Sequence, residues 1–289
     1  MRGASFSLSL ILASQSFALS FAIVGDAGKN NANTTGVRNS ILKTSVRALV
    51  IPGDNIYNPQ KTYGEIWDDW KKAGFSWDVV AIGNHTLGYD KEVKFFGMPG
   101  EFYSKTYGHE ARFIVLNSDN PLRADIQIEW LNRELALANE AFVFLVYHHP
   151  SFTVTQHHSW LEKESFQRGV RPLLWKYRNK ITGLLIGHDH MAEMLQFNDL
   201  PAVLAGASWE CREDRHPDGK QEGVNVKTGW MYDGTPHWVR LDLDSKTNMA
   251  TVNFVRTKDD KSQCTVHLVT GQAAKMEENC RKTSAPTRE

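Results

Sequence analysis

Short, largely apolar runs recur along the chain at residues 21–24, 48–51, 79–82, 142–147 and 181–186, and a turn rich in Gly, Pro or polar residues follows each one. Runs this short, bounded by turn signals, predict buried strands. Between several of them the apolar positions switch to helical spacing, as at Val37, Ile41, Leu42 and Val46. The same spacing joins Ile128, Trp130, Leu131, Leu135 and Leu137, with Asp125 expected as the N-cap. Alternating strand and helix predicts α/β layers, in which ligands collect at the carboxyl ends of strands. Beyond His190 the pattern becomes strict alternation, at Val239, Leu241 and Leu243 and again at Val252 and Phe254. That predicts antiparallel strands closing a second sheet, and hence an α/β fold built as a two-sheet β-sandwich flanked by helices. The stretch holding Trp67, Trp70 and Trp77 reads as core packing of an amphipathic helix.

With 289 residues, 41% of them hydrophobic and 23% charged, the chain is long enough to bury a substantial core. Its 33 basic and 33 acidic residues cancel. Without a basic surplus, binding to nucleic acid is not expected, and any affinity for phosphate must come from a local site. Residues 1–20 combine Arg2, an apolar run at 6–13 and the small residues around Ala18 and Ser20, the signature of a signal peptide. The run is too short to span a bilayer, so export without stable membrane insertion is expected. One catalytic domain is expected over 21–260, with 261–289 as a partly disordered C-terminal extension. The three cysteines, Cys211, Cys264 and Cys280, stand apart from the histidine clusters and are not expected to hold metal. Cys264 and Cys280 could close a C-terminal loop in an oxidising compartment, or all three could be buried, inert thiols.

Polar donors cluster where the predicted strands end: Asp26 in GDAG, Asp54 and Tyr57 in GDNIY, Asn84 and His85 in GNHT, His148 in HHP, and His188 and His190 in GHDH. Taken singly, Asp26 could cap a helix, Asp54 and Tyr57 could be a turn and a core tyrosine, and the histidines could be polar strand ends. Taken together, oxygen and nitrogen donors in this order suit a pair of adjacent cations. A carboxylate between two metals holds them at a separation suited to hydrolysis, and Asp54, beside the small Gly53, is the candidate bridge. Imidazole nitrogens suit iron and zinc, while the neutral amide of Asn84 leaves its metal more electrophilic.

The ordered motifs resemble those of the calcineurin-like metallophosphoesterases, and Tyr57 narrows the resemblance to the small, tartrate-resistant type of purple acid phosphatase. The resemblance covers residues 22–254 and implies an α/β/β/α fold. It implies Asp26, Tyr57 and His190 on one metal, Asn84, His148 and His188 on the other, and Asp54 bridging both. A phenolate ligand needs a strongly acidic ion such as Fe(III), since a free tyrosine ionises near pH ~10. The implied cofactors are therefore two metal ions, Fe(III) plus Fe(II), Zn(II) or Mn(II). His85 then matches the substrate-facing histidine that protonates the leaving group, and His157 a further pocket histidine. His149 and His158 have no counterpart, while His109, His216, His237 and His267 are expected to be surface or structural residues.

What the resemblance implies is an exported acid phosphatase, a monomer, in which a metal-bound hydroxide attacks a phosphate monoester, either a small ester or a phosphoprotein. One position departs from the family: Thr86 stands where an acidic residue usually follows GNH. That acid orients or tunes the adjacent histidine. Three alternatives stay open: a phosphodiesterase of the same superfamily, a metal- or phosphate-binding protein with reduced turnover, and redox activity from an Fe(II)/Fe(III) couple.

Overall fold

Strand and helix alternate through the first half of the chain. The computed structural model describes residues 19–152, 162–211, 219–221, 224–232 and 234–280. The order is β1 (Leu19–Ile23), α1 (Ala32–Leu42), β2 (Ala48–Ile51), α2 (Tyr63–Lys72), β3 (Ser76–Val80), α3 (Tyr89–Phe96), β4 (Tyr103–Tyr107) and β5 (Ala111–Val115). There follow α4 (Ala124–Leu137), β6 (Phe142–Tyr147), α5 (Glu164–Lys176), β7 (Gly183–Ile186), β8 (Ala192–Phe197) and β9 (Leu200–Ala205). Strands complete the described chain: β10 (Gly219–Gln221), β11 (Val224–Tyr232), β12 (His237–Asp244), β13 (Met249–Arg256), β14 (Lys261–Leu268) and β15 (Lys275–Met276).

These strands form two sheets, in the orders β15-β14-β13-β12-β1-β2-β3 and β10-β11-β8-β9-β7-β6-β5-β4. β1, β2 and β3 run parallel, as do β5, β6, β7 and β9. The period-2 alternation of β6 shows how the layers are built. Phe144 and Val146 join the core between the sheets, while Val143 and Leu145 pack on the other face with Leu131 and Leu135 of α4 and Phe166 and Val170 of α5. Across the inter-sheet core the Phe21 and Phe113 rings meet edge to face at 5.0 Å. On the opposite face of β12, the Trp238 indole N–H donates to Ser40 of α1. The expected α/β sandwich of two sheets flanked by helices is what the chain forms. Among the described residues no helix is long and apolar enough to cross a membrane.

Five expectations need correction. The antiparallel strands after His190 do not all close a second sheet: β12 pairs with β1, Leu19 opposite Leu243, so β12, β13 and β14 extend the first sheet. Their apolar faces complete the core that β1 begins, a partnership that sequence order cannot reveal. Asp125 does not cap α4, because a 3-10 turn at Pro121–Arg123 leads directly into the helix and Arg123 takes the cap position. Trp77 lies on β3 rather than on the helix, although Trp67 and Trp70 of α2 are buried as expected. The domain limit at residue 260 falls just before β14, and β14 and β15 continue the sheet, so the segment to Cys280 is part of the domain. A Cys264–Cys280 disulfide secures that end. β1 also starts two residues before the expected strand, with Ser20 donating to Asp242.

Candidate metal centre

Each predicted donor sits just past the carboxyl end of a parallel strand. Asp26 follows β1, Asp54 and Tyr57 follow β2, Asn84 and His85 follow β3, His148 follows β6, and His188 and His190 follow β7. At these points the backbone must leave the sheet abruptly and turn a side chain inward. Asp26, Asp54 and His188 do so at φ of 54°, 56° and 74°, left-handed values that non-glycine residues adopt at a cost of order 1–3 kcal/mol each. Asp26 does not cap α1, a role taken by Asn31. Two glycines are required by contact: a Cβ on Gly83 would collide with the Asp54 carboxylate, and one on Gly187 would lie 2.6 Å from Asp26 Oδ2.

The donors converge in two groups. In one, the Tyr57 hydroxyl donates to Asp26 Oδ1 at 3.1 Å and lies 3.0 Å from His190 Nε2. In the other, His148 Nε2 lies 3.1 Å from Asp54 Oδ1, 3.2 Å from Asn84 Oδ1 and 3.2 Å from His188 Nδ1. Ligand atoms of Asp26, Asp54 and His148 lie within 4.8 Å of one another, which puts the Asp54 carboxylate beside both groups. His148 Nδ1 is 3.0 Å from the Pro52 carbonyl, which can only accept, so Nδ1 carries a proton and Nε2 is the atom turned to the other donors; protonated it donates to Asp54, and deprotonated it offers a lone pair. Lone pairs on His148, Asp54, Asn84 and His188 then face one another. They need a proton or a cation between them, and the donor set suits a cation.

Electrostatics agree with that fit. Burial pushes Asp26 well above the usual carboxylate range, and the neighbouring Asp54 adds to the rise, against the opposing pull of His148. Burial also penalises the Asp54 anion, but the charge and hydrogen bond of His148 and the His85 N–H outweigh it and hold that carboxyl low. His148 is disfavoured as a cation by burial, yet Asp54 and Asp26 raise it to about 9. Burial and both aspartates push the Tyr57 phenol up, so only a strongly acidic cation would take its proton. A carboxyl pushed up, a second held down and a phenol thus meet at one buried point, an arrangement that added positive charge would stabilise.

His85 is exposed, its N–H donates to Asp54 Oδ1 at 2.9 Å, and its ring lies 4.4 Å from that of Tyr57. His157 and His158 lie outside the described residues. Four further residues border the cluster without having been anticipated. His149 is buried, with Nδ1 2.7 Å from Ser118 Oγ and its ring 4.4 Å from that of His188. Its place beside His148 in HHP was the available signal. Glu162 reaches His188 Nε2 at 2.7 Å, and Glu210 reaches His190 Nδ1 at 3.1 Å. Trp209 packs against both Tyr57 and His190, under the ammonium of Lys29. Lone acids and a tryptophan in irregular segments carry no sequence signal.

No family model matches the chain. Tartrate-resistant acid phosphatase type 5 of Oryctolagus cuniculus is 25% identical over 244 residues, covering 65% of this chain and 72% of the relative. The chain resembles the metallophosphoesterases. Among solved structures, the purple acid phosphatase PPD1 from yellow lupin (Lupinus luteus) aligns with a TM-score of 0.65 at 17% identity, over 86% of this chain and 53% of that one. GAP50, described as the anchor in the inner membrane complex of Plasmodium, aligns with a TM-score of 0.67 at 17% identity, over 93% and 98%. These two alignments show a shared fold. Together with the acid phosphatase relative and the clustered donors, they support a metal-dependent phosphoesterase.

Proposed function

We propose that the protein is an exported, dinuclear-metal acid phosphatase of the purple type that hydrolyses phosphate monoesters. The observation that carries this reading is the convergence of possible ligand atoms at His148 Nε2, Asp54, Asn84 and His188, next to the Asp26, Tyr57 and His190 group. Asp26, Tyr57 and His190 would hold Fe(III); Asn84, His148 and His188 would hold Fe(II), Zn(II) or Mn(II); Asp54 touches both sets. When bound, such a pair would supply positive charge for the phosphate and would lower the pKa of a water. His85 stands exposed at the rim, tethered through its backbone to Asp54, where its ring can hand a proton to the departing ester oxygen. His157 is proposed as a second phosphate-facing histidine. Glu210 orients His190 through Nδ1, as carboxylates commonly do for metal-binding imidazoles.

The Cys264–Cys280 disulfide and the apolar segment within residues 1–20 support an exported, oxidising compartment. The proposed substrates are small phosphate esters or phosphoproteins, turned over by a monomer. Metal analysis, a visible spectrum and assays on chromogenic mono- and bis-esters, all on one preparation, test the reading. Two metals, a tyrosinate-to-iron colour and faster monoester cleavage are expected. A colourless zinc protein would remove the Fe(III) assignment, and faster bis-ester cleavage would make it a phosphodiesterase. A second reading, metal binding without turnover, draws on Thr86 and on the likeness to an anchor protein. Two bound metals with no hydrolysis from acid to neutral pH would favour it.

A further inference from the structure

Thr86 leaves the position after His85 without an acid, yet a carboxyl is buried behind it. Glu92, in the first turn of α3, is fully buried. Its Oε1 accepts from Asn55 Nδ2 at 2.5 Å, and its Oε2 accepts from the Tyr63 hydroxyl at 2.8 Å. Asn55 directly follows Asp54, and its amide also donates to the Ala81 carbonyl at 3.0 Å, on the segment leading to Asn84. Tyr63, the first residue of α2, accepts from the Leu87 N–H at 3.1 Å and lies 3.1 Å from Thr86 Oγ1. Tyr63 thus links Thr86 to Glu92.

Three segments therefore meet at one carboxyl: the loop carrying Asp54, the loop carrying Asn84 and His85, and the start of α2. Burying an acid is costly unless hydrogen bonds or charge offset it, so its presence here needs a reason. Burial pushes Glu92 up to about 7, assisted by the Asp54 charge and opposed by hydrogen bonds from Thr86, Asn55 and Tyr63. Tyr63 on α2, Asp54 beyond Asn55 and Tyr89 on its own helix are titratable groups that act on it.

We propose that Glu92 is a positioning residue that sets the separation between Asp54 and the Asn84–His85 pair, acting from α3 in place of an acid at position 86. This inference rests on the hydrolytic reading of the site. The test uses the full chain loaded with metal, as wild type, Glu92→Ala, Glu92→Gln, Thr86→Asp and the double variant Thr86→Asp/Glu92→Ala. Metal content, kcat and KM on a chromogenic monoester, and the melting temperature are measured for each. Glu92→Ala should lose about ten- to a hundredfold in kcat with KM nearly constant, as losses of supporting groups around metal sites do. Thr86→Asp alone should also lose activity, because two carboxyls would then compete for the Tyr63 proton. Combined, the two changes should recover activity relative to Glu92→Ala, a reversal that a general packing role would not produce.

Wild-type kcat in Glu92→Ala below its melting temperature, or a double variant no better than Glu92→Ala, overturns the proposal. If Glu92→Ala does not fold, Glu92→Gln, which keeps the volume, replaces it in the same comparison with Thr86→Asp/Glu92→Gln. A wild type that binds two metals but cleaves no ester would end the phosphatase reading alone. The Glu92 role would then be read in metal affinity, weakened in the single variant and restored in the double, with unchanged affinity overturning it.

Discussion

His85 and Asp54 are joined by a hydrogen bond at 2.9 Å, yet their surroundings assign them different work. Asp54 is buried among the donors, so Asp54→Asn should lose metal and monoester hydrolysis together, as elemental analysis and the assay would show. His85 is exposed and hydrogen-bonds that carboxylate through its backbone. His85→Ala should retain both metals while kcat falls by about a hundredfold or more; an emptied site would refute this division of roles. His237, expected to be a surface or structural residue, is buried with Nδ1 2.6 Å from the Thr235 carbonyl, and burial depresses its basicity to about 4. The folded chain thus resists protonating it while the unfolded chain does not. Its contribution is fully present above the free value near 6.5 and is lost as pH falls through about 4, by about 3 kcal/mol. Urea unfolding at pH 7 and pH 4.5 should show a smaller drop in His237→Gln than in wild type.

At the scale of elements, the C-terminal strands are the instructive case. Alternation at Val239, Leu241 and Leu243 made β12 legible as a strand with one buried face, but its partner could not be read. Pairing is decided by which exposed edge and apolar face await completion, and here that edge belongs to β1, over two hundred residues earlier. The disulfide joins β14 to the short turn after β15 across a separation of 16 residues. Closing a loop of that length stabilises by about 3 kcal/mol. Reduced protein should therefore unfold at lower denaturant than oxidised protein while keeping its metals, because the bridge lies outside the donor cluster; metal loss on mild reduction would contradict this.

At the scale of the molecule, the two sheets bring five strand ends to one point, and cations bound there would favour only the folded chain. Chelation should lower the melting temperature, and restoring metal to about a hundred times its dissociation constant should return about 2.7 kcal/mol. An unchanged melting temperature would mean that the donors hold no metal. The sequence by itself determined the strands that precede each motif and the order of the donors, because those are local matters of periodicity and turn chemistry. Tertiary structure alone decided which donors face each other, that Glu162, Glu210, His149 and Trp209 border them, and that Glu92 ties the loops of Asp54 and His85 together. Those contacts join residues far apart in the chain through distances and burial, which exist only once both sheets have packed and excluded water.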